Sequence, residues 1–155
     1  MIEIVNFLPK HFEGMAECYR AGFPDGHNRY ALSRLARFQS ETIILAVHEQ
    51  QKVVGVIIGI TSHREAWLTA LTVLPRAEAR CYLELLDALG HRLYDLGFRQ
   101  AYATTHRPSI LKLAWRVGVQ DLTYEKNFYF DGSDRYILTL DVQNLYALHR
   151  LLERK

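Results

Sequence analysis

No stretch constrains the fold of this chain more than 66–86, where the apolar pattern changes period at a single point. Residues 66–74 are almost wholly apolar or threonine, the composition of a strand buried on both faces. Pro75 closes it, because proline has no N–H to give to a ladder. From Tyr82 the period becomes helical: Tyr82, Leu86, Leu89, Leu93 and Leu96 share one face, Arg, Glu and Asp fill much of the other, and Gly97 supplies the stop. The unit that the rest of the chain must frame is a buried strand feeding a long amphipathic helix through one short turn.

Upstream, residues 2–8 alternate as an opening strand, and Pro9 starts a helix whose inward stripe is Phe12, Met15, Ala16, Tyr19 and Phe23. Asn28 is placed to cap a second helix over 29–38, with Tyr30, Leu35 and Phe38 turned inward. Residues 42–48 and 53–61 are rich in Ile and Val and are joined by the polar 49–52, the pattern of an antiparallel hairpin. Downstream, 101–105 reads as a short buried strand and 109–117 as a helix. Strands over 124–130 and 135–140 then flank the turn Asp131-Gly-Ser-Asp134, and an amphipathic helix over 142–152 closes the chain.

Two strand-to-helix units in succession allow 66–73 and 101–105 to be parallel neighbours, since each crossover holds a helix long enough to return the chain across the sheet. The expected fold class is α/β, a single domain over 1–155 with a mixed sheet of about seven strands flanked by helices. At 155 residues and 49% hydrophobic content the chain can bury a real core, and no Pro- or Ser-rich linker divides it.

The longest apolar run, 53–60, contains Gly55 and Gly59 and is far too short to cross a bilayer, and the N-terminus lacks a signal-type pattern. Cys18 and Cys81 have no metal-ligand spacing, so reduced thiols, no metal and a cytoplasmic setting are expected. The net charge of +2 comes from interspersed acids and bases, which argues against a nucleic-acid partner as the run lengths argue against a membrane.

The element order resembles the fold of the GNAT superfamily of N-acetyltransferases over nearly all of 1–142, and 73–86 looks like its acetyl-CoA-binding segment. The resemblance implies that strands 66–73 and 101–105 splay apart at their carboxyl ends. Acetyl-CoA, the implied acyl donor, would lie in the gap with its pyrophosphate on the following helix start, where unsatisfied N–H groups and the helix dipole favour an anion. The implied contacts are Leu71, Thr72 and Val73 on one strand, Arg76, Glu78, Ala79, Arg80, Cys81, Tyr82 and Leu83 around the turn, and Thr105 on the other strand. Glu78, Ala79, Cys81 and Leu83 stand where the family has Arg, Gly, Gly and Gly, and Arg107 and Ala114 where it has Asn and the proton-donating Tyr.

Catalysis therefore needs other groups. Glu65, just before the central strand with His63 nearby, is the candidate base for the attacking amine, and His106, at the end of the neighbouring strand, is the candidate for proton transfer near the thioester. A solvated turn carboxylate and a helix-start histidine are the structural alternatives. Two functions are open. One is transfer of an acetyl group to a primary amine, on a small molecule or a protein, by direct attack. The other is a catalytically silent binding or assembly module, similar to acetyltransferase-like bacteriophage virion components through the segment 105–113. Tyr124, Phe128, Tyr129, Phe130 and Tyr136 crowd one hairpin, to be covered by a second copy of the chain or by Leu145, Leu148, Leu151 and Leu152 of the last helix.

Overall fold

The computed structural model describes residues 1–24, 28–49, 52–75, 77, 80–105, 119–126 and 135–146. Its strands are β1 (Ile2–Asn6), β2 (Ile43–His48), β3 (Val53–Thr61), β4 (Ala66–Val73), β5 (Gln100–Thr105), β6 (Val119–Glu125) and β7 (Arg135–Asp141). Its helices are α1 (Phe12–Gly22), α2 (Arg29–Phe38), α3 (Arg80–Asp95) and α4 (Val142–Tyr146). The strands form one sheet in the order β1-β2-β3-β4-β5-β7-β6, in which β4 and β5 run parallel and every other pair is antiparallel. The expected mixed sheet of seven strands is thus observed.

Two apolar layers cover the sheet. On one face α3 lays Cys81, Leu85, Leu86, Leu89 and Leu93 against Ile44, Ile57, Ala66, Val73, Ala101, Leu138 and Leu140, and Leu145 of α4 joins them. Burying each leucine there contributes about 1.5–3 kcal/mol relative to leaving it in water. A Cβ on Gly55 would sit 3.1 Å from Leu85 Cδ1, so the bare backbone of β3 is what lets α3 settle this close. Arg92 fastens the helix at the far edge, donating to the Glu41 carbonyl at 2.8 Å and to Asn6 Oδ1 at 2.7 Å. On the other face α1 and α2 pack Met15, Ala16, Cys18 and Leu32 against Ile43, Leu45, Val56, Ile58 and Ala70. Cys18 and Cys81 lie in these opposite layers, both buried, with the sheet between them.

Four local expectations are corrected. Asn28 does cap α2, accepting from the Ala31 N–H at 3.0 Å, but Tyr30 and Phe38 are exposed and Leu32 is the buried residue. The exposed rings serve arginines instead: Arg34 stacks over both, and Arg37 over Phe38. Leu96 is likewise exposed, because α3 ends at Asp95 and Gly97 turns the chain with φ +97°. Strand β1 stops at Asn6 rather than reaching residue 8, since Pro9 opens a short 3-10 turn ahead of α1. Finally, β6 spans Val119–Glu125 and so begins five residues before the expected Tyr124, because cross-strand pairing with β7 selects the segment facing Arg135–Leu140. Residues 127–134, 109–117 and 147–152, which carry the predicted turn and helical segments, lie outside the described residues.

Candidate functional site

Strands β4 and β5 pair at only two positions, Trp67↔Tyr102 and Leu68↔Ala103. Beyond these β4 continues to Val73 and β5 to Thr105, so the carboxyl ends diverge and open a gap, as the resemblance implied. The divergence starts at a bulge. Ile58 pairs with Ala70 while Gly59 pairs with Leu68, which leaves Thr69 as the extra residue of β4, its hydroxyl donating to the Ile58 carbonyl at 3.2 Å.

The bulge also exchanges the faces of the strand. Before it, Ala66 and Leu68 point to the α3 layer; after it Leu71 and Val73 do, while Ala70 joins the α1 layer. Thr72 is buried on that same side, beneath Gly22 at the end of α1.

At the open end of the gap stands the first turn of α3. Cys81 is fully buried, and Tyr82 and Leu83 are partly buried against the same layer. Two positions where the family has glycine therefore carry side chains turned toward the sheet. Arg80 is exposed, with its Nε 3.5 Å from Glu84 Oε1 one turn on. A phosphate at this turn would compete with that carboxylate for the guanidinium, while helix N–H groups and dipole supply attraction that needs no side chain. Arg76, Glu78, Ala79, His106, Arg107, Ala114 and the side chain of Thr105 lie outside the described residues.

Glu65 is exposed on the turn between β3 and β4, at the paired end of the strands rather than the open one. The turn is held by Ser62 N–H donating to the Glu65 carbonyl at 2.8 Å and Glu65 N–H donating to Ser62 Oγ at 3.3 Å. Its carboxylate accepts the indole N–H of Trp67 at 3.0 Å. His63, on the same turn, is exposed. Trp67 in turn packs on Tyr102 across the parallel pair, with ring centroids 5.1 Å apart and planes at 36°.

This aromatic pair was missed in the sequence. Tyr102 between Ala101 and Ala103 was the available signal of a large ring on the opposite face from two core alanines. Among the described residues, no group of His, Cys, Asp or Glu is arranged to hold a metal ion, and no helix is long and apolar enough to cross a membrane.

No family model and no curated protein matches the sequence. Solved structures do match the fold. Ard1 from Thermoplasma volcanium superposes with a TM-score of 0.80 at 19% identity, over 90% of this chain and 97% of that one. The NatC complex bound to Gag peptide and CoA gives 0.81 at 14%, over 90% of this chain and 98% of that one. The GNAT superfamily phosphinothricin acetyltransferase from Sinorhizobium meliloti, in complex with AcCoA, gives 0.76 at 18%, over 90% and 88%. Likeness at such identities speaks for architecture: the chain has the fold of the GNAT superfamily of acetyltransferases.

Proposed function

We propose that this chain is an N-acetyltransferase that takes acetyl-CoA as donor and passes the acetyl group to a primary amine by direct attack. The observation that carries the reading is the β4–β5 ladder that stops after two pairs, because a slot walled by unpaired backbone suits an extended arm bearing amides. The donor supplies an activated acyl group. Leu71, Thr72 and Val73 would line the slot, with a backbone N–H near Thr72 or Val73 for the acyl carbonyl. Tyr82 and Leu83 support the helix turn that, with Arg76 and Arg80, would face the pyrophosphate.

Proton transfer is proposed for His106, the residue that directly follows β5 in the sequence. Neutral imidazole can take the proton that the amine loses and return it to the leaving thiolate, so the balance closes on one residue. Glu65 stands four residues before Thr69, about 13 Å of extended strand, and would reach the amine only through water.

Calorimetric titration with acetyl-CoA tests the reading. Saturable micromolar binding that weakens with salt and is abolished by Arg76→Glu with Arg80→Glu is expected. Neither heat nor a raised melting temperature at millimolar acetyl-CoA would overturn it. A silent binding or assembly module, a virion component among the possibilities, is the second reading. It is supported by the edge strand β6, where Leu122 and Tyr124 are exposed, and a monomeric mass in solution would count against it.

A further inference from the structure

We infer that Glu65, Trp67 and Tyr102 form a receptor for an organic ammonium group, one that on the reading above holds a second, non-reacting positive charge of the acceptor. Three observations meet here. Trp67 and Tyr102 are half-buried rings packed 5.1 Å apart on the first rung of the parallel pair, immediately before the strands part. The Glu65 carboxylate is fixed beside them by the Trp67 indole N–H at 3.0 Å and by the turn bonds to Ser62. The chain's own cation–aromatic contacts lie elsewhere, on Phe12, Tyr30, Phe38 and Tyr94; among the described residues, no guanidinium occupies these two rings.

The chemistry of the cluster selects its ligand. Ring faces carry the negative part of the aromatic quadrupole, and a carboxylate held at their edge adds a full negative charge, so both attract a cation. The same carboxylate repels a phosphate, which disfavours a stacked nucleotide on these rings. Alternation places the rings on the face opposite Ala66, Leu68, Ala101 and Ala103, the face on which α1 packs against β3 and β4. Across β5 and β7 that face continues with Thr104, Ile137 and Thr139, all half-buried, as a floor for the linker between two amino groups. Glu65 is thus better placed to hold a charge than to take up a proton from the reacting nitrogen.

The test follows the indole N–H resonance of Trp67, identified by its loss in Trp67→Phe, as tetramethylammonium chloride is added at constant ionic strength. Its neutral counterpart is tert-butyl alcohol. A saturable millimolar shift with the ammonium and none with the alcohol is expected. Glu65→Gln, which keeps an acceptor for the indole but removes the charge, should weaken binding about threefold to fivefold. Equal shifts with the two probes, or unchanged affinity in Glu65→Gln, would overturn the inference. The experiment contains no acetyl-CoA. Saturation by the ammonium in a protein that ignores acetyl-CoA would leave this site standing and sink the transferase, and the opposite pair of results would do the reverse.

Discussion

Gly22, the last residue of α1, lies directly on Thr72 near the open end of β4: a Cβ built on the glycine would fall 2.1 Å from Thr72 Oγ1 and 2.6 Å from its Cβ. No side chain fits there. The contact brings the end of α1 down on the strand that walls the gap, so the helix and the candidate donor slot share one steric constraint.

Gly22→Ala should therefore push α1 off β4 and cost about 1–3 kcal/mol through overpacking. Thr72→Gly should recover much of that loss in the double variant, since it removes both clashing atoms. Melting curves of the four proteins form a cycle, and strictly additive losses would show that the two residues do not press on each other.

Leu89 is fully buried in the α3 layer, whereas Leu96, about two helical turns further along the predicted stripe, is exposed. Leu89→Ala should cost roughly 2–5 kcal/mol through lost burial and a cavity, and Leu96→Ala less than about 0.5 kcal/mol. Chemical denaturation of both variants checks the contrast. Equal midpoints would mean that α3 presents a different face.

His11 is buried, and its Nδ1 accepts the Leu8 N–H at 3.0 Å, a bond available only to the neutral ring. Burial, reinforced by the positive charge of Lys10, holds its pKa below the ordinary 6.5. A depressed folded value means that the unfolded chain binds the proton more readily. The stabilisation is thus complete above the unfolded pKa and is lost as pH falls through the folded one. Melting temperature should drop between neutral pH and about pH 5, with a shallower slope in His11→Gln. Identical slopes would remove His11 from the explanation.

The Cys18 thiol is pushed up to about 11 by desolvation, and Cys81 is fully buried at the first turn of α3. Neither should react with a thiol reagent in the folded protein at pH 8, and both should be titrated on unfolding. Rapid native labelling of Cys81 would show that the first turn of α3 opens to solvent, and would weaken the fit of the donor.

The sequence by itself determined the elements whose signals are local. The hairpin of β2 and β3, the Asn28 cap, the single change of period between β4 and α3, and the stop at Gly97 all depend on neighbours a few residues apart. The helix between β4 and β5 allowed them to be parallel neighbours, and the family resemblance made that the expectation the structure meets. What a pattern cannot carry is which of several apolar residues wins a place in the core, because that depends on the surface facing it. Leu32 displaces Tyr30 and Phe38 for this reason, and β6 takes its limits from β7. The candidate site divides the same way. Its expected donor end lies where one strand meets one helix, and the resemblance alone is what names Thr72, Cys81 and Leu83 there. The bulge at Thr69, the pressing of Gly22 on Thr72, and the meeting of Trp67 with Tyr102 join residues distant in sequence, and only the closed sheet brings them together.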